Sequence, residues 1–138
     1  MTKFFGYKSI NEITKLIKYH TEINQFGNPF AAAMVNKNTG DFYIADNNVD
    51  LYGDLTAHAE MELLRKRLNY NWKAGDCFII SSGEPCPMCL TAIAWVGIKE
   101  VFYLDSYKVA RKKGFKFDRS AIKTNKQLNL GLTIKQIK

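Results

Sequence analysis

The sequence predicts an α/β domain in which a central mixed sheet of about five strands lies between two layers of helices. Two observations lead to this three-layer α/β/α class. Segments with apolar residues at helical spacing alternate with short apolar segments that are typical of buried strands. The predicted order is helix, hairpin, helix, strand, helix, strand, helix and tail. Strands that alternate with helices after an initial hairpin favour a mixed sheet covered on both faces.

The first helix begins at Ser9-Ile10-Asn11-Glu12, which has the pattern of a capping box. Apolar residues then recur at helical spacing as far as Ile23. His20 lies on or near this apolar face, and we interpret it as a core or helix-end histidine rather than a metal ligand. Gly27-Asn28-Pro29 is expected to end the helix.

A hairpin follows the first helix. Residues 30–36 are uncharged and mostly apolar, which predicts a strand buried on both faces. Asn38-Thr39-Gly40 predicts a turn, and Asp41 to Ala45 predicts the second strand. Asp46 to Asp54 is polar and is interpreted as a loop, a type of segment that commonly carries binding residues.

The second helix contains the first group of chemically interesting residues. Thr56 or Asp54 can cap it, and its apolar positions continue to Leu68. This placement puts His58 and Glu60 in the first helical turn.

The second half of the chain alternates strands and helices. The predicted elements are a buried strand over residues 76–82, a helix from about Pro85–Pro87 to Gly97, a strand over 101–104 and a short helix from Ser106 to Lys113 that stops at Gly114. Cys77, within the first of these strands, is interpreted as a small core hydrophobe. Weak apolar patterns beyond Phe117 predict a small strand or helix packed on the body.

Three residues form a candidate zinc site. His58, Cys86 and Cys89 supply the nitrogen and sulfur ligands that zinc prefers, and three protein ligands leave the open position of a catalytic site. Cys86 and Cys89 are three residues apart at a helix start, so their sulfurs face the same way and the helix dipole favours thiolates. Glu60 is placed to exchange protons at the metal without binding it. Both ligand segments follow strands, so we expect them to meet at one end of the sheet.

Composition limits the classes of protein to which the chain can belong. At 138 residues with 46% hydrophobic residues, it is expected to form one domain over 1–138. The net charge of +7 has two interpretations, a solvated basic surface and an RNA-binding face, and we prefer the solvated surface. No apolar run approaches the ~20 residues of a membrane helix. The N-terminus lacks the pattern of a secretory signal, and cysteines at metal-ligand spacing favour a reducing, cytoplasmic compartment.

The pattern His-x-Glu followed by Pro-Cys-x-x-Cys is typical of zinc-dependent base deaminases. On these residues the chain resembles the cytidine-deaminase superfamily, and within it the guanine deaminase and nucleoside deaminase branch. The resemblance runs roughly from Asn28-Pro29-Phe30 to Gly114-Phe115 and fades in the tail. It implies a cytidine-deaminase-like fold, zinc as the cofactor and a homodimer.

The resemblance also assigns the central site residues. It makes His58, Cys86 and Cys89 the zinc ligands and Glu60 the proton shuttle. The implied reaction is the attack of zinc-bound hydroxide on the carbon that bears the exocyclic amine, with release of ammonia.

Further positions match residues that bind substrate in the family. Asn47 matches an asparagine that holds the base or sugar, Phe30 a pocket aromatic, and Trp95 the aromatic of an AI-x-W motif. Asp118 lies about one residue from the position that corresponds to the acid with which guanine deaminases bind the purine edge. Helix-start geometry adds the backbone amide near Ala59 as a group that orients water and base.

Three functions stay open at this point. The first is deamination of a free nucleobase or nucleoside, with guanine or a related amino-purine as substrate. The second is a tRNA-specific adenosine deaminase, which the basic charge favours. That subgroup usually has a Gly-Ala-Ala-Gly-Ser-like loop after the fourth strand, and the segment SYKVARKKG does not resemble it. The third is an inactive zinc-bound module that binds RNA or protein, against which an intact Glu60 argues. The expected partners are a small-molecule nucleobase or nucleoside and a second copy of the chain, with no membrane.

Overall fold

A computed structural model of the protein describes residues 9–24, 29–112 and 120–137. The helices and strands of these ranges are α1 (Ile10–Ile23), β1 (Ala31–Asn36), β2 (Phe42–Asp46), α2 (Val49–Tyr52), α3 (Ala59–Lys66), β3 (Cys77–Gly83), α4 (Pro87–Trp95), β4 (Glu100–Asp105), α5 (Tyr107–Lys112), α6 (Ala121–Gln127) and β5 (Thr133–Gln136). Two short 3-10 turns, Arg67–Asn69 and Ala74–Asp76, lie between α3 and β3.

The five strands form one mixed sheet in the order β2-β1-β3-β4-β5. Strand β1 is antiparallel to both of its neighbours, whereas β4 is parallel to β3 and β5. The predicted mixed, five-stranded sheet is therefore confirmed. Because only β1 runs in the opposite direction, the carboxyl ends of the other four strands lie at the same edge. The amino end of β1 lies there too, and this edge carries the residues discussed below.

Helices cover both faces of the sheet, as predicted. Strand β1 is buried throughout, and its alternate residues enter two separate cores because side chains alternate across a strand. On one face α1 contributes Ile10, Ile13 and Ile17 to the first core. On the other face Leu63 of α3 and Leu90 of α4 pack in the second core.

The hairpin is also confirmed, since β1 and β2 pair with Val35 opposite Phe42. The side chain of Asn36 fixes its turn by accepting hydrogen bonds from the backbone nitrogens of Asn38 and Thr39, at 2.9 and 3.3 Å. His20 pairs with Asp46 at 3.0 Å near the end of α1, in agreement with a helix-end role.

Three local predictions need correction. The segment from 46 to 54 is more than a loop, because it contains the one-turn helix α2, which ends at Gly53 with φ of +65°. The cap of α3 is His58 itself, while Asp54 accepts from the nitrogen of Thr56 at 2.8 Å in the preceding turn. Leu68 belongs to a 3-10 turn beyond the end of α3.

The tail forms two elements against the body. Helix α6 buries Ala121 and Thr124, and β5 extends the sheet beside β4. The predicted helix stop at Gly114 lies outside the described residues. Within the described ranges, the helices are too short or too polar to cross a membrane.

Candidate metal centre

Two neighbouring helix starts bring the predicted zinc ligands together. His58 is the N-cap of α3, Cys86 is the N-cap of α4, and Cys89 lies in the first turn of α4. One ligand atom from each residue lies within 4.8 Å of the other two. We call these three residues the ligand cluster. The prediction that both ligand segments meet at one end of the sheet is confirmed.

The distances of the ligand cluster fit a tetrahedral zinc ion. The Nδ1 atom of His58 lies 3.6 Å from the sulfur of Cys86 and 3.6 Å from the sulfur of Cys89. Usual zinc–sulfur and zinc–nitrogen bond lengths at tetrahedral angles place the two ligand atoms about 3.6 Å apart. Among the described residues, no fourth histidine, cysteine or carboxylate joins the group. The donor set therefore fits zinc with one position left for water or substrate.

The three ligands influence one another's protonation. A hydrogen bond from Cys89 lowers the pKa of the Cys86 thiol to about 4, and a further hydrogen bond from His58 acts in the same direction. The same pairing with Cys86 raises the pKa of Cys89, and burial adds to the effect. The hydrogen bond to Cys86 also raises the pKa of His58. The lowered pKa of Cys86 favours the thiolate, which is the form of cysteine that binds a metal cation.

Glu60 is buried beside the ligand cluster, with 6% of its surface exposed. Burial raises the pKa of this carboxyl to about 7, and the negative charge on Cys86 adds to the rise. A hydrogen bond joins its side chain to Cys89. The carboxyl therefore lies next to the ligand cluster, and its role in proton transfer stays a prediction.

Asn47 lies at the same edge of the sheet, directly after β2, and is 5% exposed. Its backbone nitrogen donates to the carbonyl of Phe30 at 3.0 Å, and its Oδ1 accepts from the nitrogen of Val49 at 3.0 Å. The second bond starts helix α2 and fixes the plane of the amide. No described residue accepts a hydrogen bond from its Nδ2 group.

Phe30 lies against the start of the segment that carries the cysteines. A Cβ atom added to Gly83 would lie 3.2 Å from Cε1 of Phe30, so the glycine permits this close approach. Phe30, Gly83 and Ser106 line a cavity of about 80 Å³ at the carboxyl ends of β3 and β4. Ala59, the first residue of α3, is fully buried, and its amide belongs to the helix start, where backbone amides lack intrahelical partners.

The structure does not bring Trp95 to the ligand cluster. Trp95 is the last residue of α4, roughly 13 Å along the helix from Cys86, and is 87% exposed. It lines a groove on the outer face of α3 and α4. Cys77 is buried at the other end of β3, and burial raises its pKa to about 11, in agreement with its predicted role in the core. Asp118 lies outside the described residues.

One buried acid of the site region received no role from the sequence. Glu84 precedes Pro85-Cys86, is 6% exposed, and accepts hydrogen bonds from two backbone amides of distant elements. Its position inside the cysteine motif was the available signal. Its partners lie 23 and 37 residues away, so sequence spacing could not reveal them.

Comparison with known proteins agrees with the geometry. Residues 8–105 match the family model described as the cytidine and deoxycytidylate deaminase zinc-binding region. Guanine deaminase of Bacillus subtilis is 41% identical over 91 residues, which are 64% of this chain and 58% of the relative. A probable cytosine deaminase of Schizosaccharomyces pombe is 30% identical over 97 residues, which are 70% of this chain and 59% of the relative. The chain thus spans less than two thirds of the length of these curated relatives.

A solved structure extends the likeness to three dimensions. The X-ray structure of guanine deaminase from Bacillus subtilis superposes with a TM-score of 0.70 and is 32% identical. The superposition covers 79% of this chain and 72% of that one.

Proposed function

We propose that the protein is a zinc-dependent hydrolytic deaminase, because the chain belongs to the cytidine and deoxycytidylate deaminase family and its ligand cluster fits zinc. The substrate that we propose is a free nucleobase or nucleoside, with guanine or a related amino-purine first. The observation that carries the proposal is a buried Glu60 beside three ligands with one open position.

The proposed site divides the chemistry between metal and carboxyl. His58, Cys86 and Cys89 would hold zinc, which supplies a Lewis acid that makes water nucleophilic near neutral pH. Glu60 would accept one proton of the attacking water and pass it to a ring nitrogen, then accept the second proton from the newly added hydroxyl and pass it to the departing amine. Overall, the carbon–nitrogen bond to the amine breaks, a carbon–oxygen bond forms, and ammonia leaves. A carboxyl whose pKa is raised to about 7 suits both proton transfers.

The remaining residues of the edge would orient the base. The Nδ2 group of Asn47 is a donor on an amide whose plane Val49 fixes, so it can bind a ring nitrogen or carbonyl in one orientation. The amide of Ala59 offers a further donor at the start of α3. Phe30, whose ring lies against Gly83, would supply an aromatic face. Their rigid attachment to the sheet edge favours a small planar substrate.

The choice of guanine depends on the relatives. The most similar of the reported relatives is a guanine deaminase, while the second is named a probable cytosine deaminase. A tRNA-specific adenosine deaminase is the second candidate, favoured by the net charge of +7. Both candidates use the same zinc chemistry, so only the substrate separates them.

Measurement of ammonia release would test the proposal. The zinc-loaded protein is offered guanine, guanosine, adenine, adenosine, cytosine, cytidine and a tRNA anticodon stem-loop in parallel. We expect turnover of guanine or another free base, and loss of that turnover in Asn47→Ala. Turnover of the stem-loop alone would overturn the substrate proposal. If none of the compounds releases ammonia, the proposed deaminase activity is overturned.

We also propose that the chain forms one deaminase domain, works in the cytoplasm and assembles as a homodimer. Support for the dimer comes from the family resemblance and from the exposed apolar surface around Trp95, since such patches commonly mark association sites. Sedimentation equilibrium of the zinc-loaded protein would measure the dimer directly. A mass equal to one chain at micromolar concentration would contradict it.

A further inference from the structure

Glu84 is a buried acid that the proposed reaction does not use. It lies in the segment that runs from the end of β3 into the first turn of α4, which we call the cysteine loop (residues 83–89), and is 6% exposed. Its Oε1 accepts a hydrogen bond from the backbone nitrogen of Tyr107 at 2.9 Å. Its Oε2 accepts a short hydrogen bond from the backbone nitrogen of Ala121. Both carboxylate oxygens are therefore engaged by backbone amides.

The two amides belong to two different helix starts. Tyr107 is the first residue of α5, and Ala121 is the first residue of α6. Amides at a helix start lack intrahelical acceptors, and the helix dipole favours a negative charge there. One side chain thus accepts hydrogen bonds from the first residues of two helices, which are 14 positions apart in the sequence. These bonds connect the cysteine loop to both helices.

The cysteine loop has few other means of fixing its own conformation. The nitrogen of Glu84 donates to the carbonyl of Asp105 at 2.9 Å. Pro85 and Pro87 have no backbone N–H, so Cys86 is the only residue between Glu84 and Met88 that can donate from the main chain. The carbonyl of Cys86 accepts from the nitrogen of Leu90 at 3.0 Å, so Cys86 is held by the first turn of α4 on one side and by the two prolines and the anchorage of Glu84 on the other.

Helix α6 adds a second connection to the ligand cluster. Ala121 of α6 and Leu90 of α4 belong to the same hydrophobic core. Glu84 binds the start of α6, while α6 packs near the body of α4, which carries Cys89. The carboxylate therefore connects the cysteine loop to α6, which shares a core with α4.

We propose that Glu84 is a positioning residue for the ligand cluster: by binding the starts of α5 and α6, it holds Cys86 and Cys89 at the spacing from His58 that zinc requires. This inference relies on the proposed function only for the identity of the ligands. It assigns no proton transfer to Glu84 and no contact with substrate.

The test uses metal affinity and ligand-field spectra instead of turnover. Zinc affinity is measured by chelator competition on the full-length chain, and the visible absorption of the cobalt(II)-substituted protein reports the geometry of the sulfur ligands. In Glu84→Ala we expect zinc affinity to fall by about 10–100-fold, as for other residues that orient metal ligands, with shifted cobalt bands. Glu84→Gln keeps one acceptor oxygen, so we expect an intermediate loss.

Ser120→Ala provides the matched control. The Ser120 side chain caps α6 by accepting from the nitrogen of Lys123 at 3.1 Å, one residue from the Glu84 contact. This variant weakens the same helix start but leaves the carboxylate in place. We expect its zinc affinity to stay within about twofold of the wild type and its cobalt bands to be unchanged, even though capping loss lowers its melting temperature.

The outcomes separate this inference from the proposed activity. Wild-type zinc affinity and cobalt bands in both Glu84 variants would overturn the positioning role, as would an equal loss in Ser120→Ala. If Glu84→Ala does not fold, Glu84→Gln decides by the same two measurements. A wild-type protein that binds zinc but deaminates no base would overturn the proposed activity, while the effect of Glu84 on zinc affinity is still measured.

Discussion

Helices α3 and α4 pack together, yet their starts and their outer face differ in chemistry. The starts hold the ligand cluster and Glu60, all buried or half-buried and all able to ionise. The outer face forms a groove of about 820 Å³, lined by apolar side chains such as Met61, Leu64 and Trp95 with two arginines beside them. We call it the outer groove. The sequence resemblance placed Trp95 among the substrate-binding residues, whereas the structure places it in the outer groove.

The difference arises from the polarity of a helix. A helix start presents unpaired amides and a positive dipole end, which stabilise thiolates and carboxylates. The side of a helix has no unpaired backbone groups, so its chemistry is that of its side chains alone. Two helix starts placed side by side can therefore create a metal site, whereas the outer groove of the same helices offers mainly apolar contact, with two arginines beside it.

Removing a ligand is expected to have the largest effect. Cys89→Ser replaces a thiolate of the cluster, so zinc content should fall from about one ion per chain to a small fraction, and ammonia release should disappear. Elemental analysis after dialysis measures the zinc. Cys77→Ser is the matched control, because Cys77 is also buried but lies at the opposite end of β3. Equal zinc loss in both variants would mean that the effect is general destabilisation.

Glu60→Gln is expected to separate metal binding from proton transfer. We expect zinc content to be retained and turnover to fall by about 10²–10⁴-fold, the usual contribution of general acid–base catalysis. Glu62→Gln tests the specificity of the loss, since Glu62 is equally buried in the same helical turn but pairs with Arg65. Near-normal turnover in Glu60→Gln would contradict the proton-shuttle role.

The same variant has a smaller, pH-dependent effect on the metal-free protein. Burial raises the pKa of Glu60 from 4.5 to about 7, so the unfolded chain loses this proton at a lower pH than the folded chain. The contribution of this carboxyl to stability is therefore present below about pH 4.5 and is lost as the pH rises to about 7.

Glutamine does not ionise and avoids that loss. Relative to wild type, the free energy of unfolding of Glu60→Gln should rise between about pH 4.5 and about pH 7, by at most about 3 kcal/mol. Urea unfolding of the chelator-treated proteins at both ends of this range would measure the difference. A constant difference across the range would show that Glu60 is not buried as a neutral acid.

Trp95→Ala should have the smallest effect on the site. Because Trp95 lies in the outer groove, zinc content should be unchanged and kcat/KM for the preferred base should stay within about threefold. Steady-state kinetics would compare kcat/KM of Trp95→Ala, in the outer groove, with kcat/KM of Phe30→Ala, at the sheet edge. A rise of KM above tenfold in Trp95→Ala would place this side chain back at the substrate, as the resemblance implied.

Most of the fold followed from local patterns. Helical spacing after Ser9, the buried run that became β1 and the strand–helix alternation all predicted elements that the structure contains. The errors were local: a missed turn of helix after Asn47, a cap placed at Thr56 or Asp54, and a helix continued to Leu68, which lies in a 3-10 turn. The missed turn depends on the side chain of Asn47, whose bond to Val49 competes with the extended loop that polar composition suggests.

The ligand types, their helix-start positions and the acid beside them could be predicted from the sequence, because these depend on residue chemistry and on spacings of two and three. The mixed sheet could be predicted too, because the order of elements limits the topologies available. The three-dimensional packing was needed to find the 3.6 Å ligand spacings, the outward position of Trp95 and the bonds from Glu84 to two helices. These features join residues far apart in the chain, and packing, not local pattern, sets the distances between them.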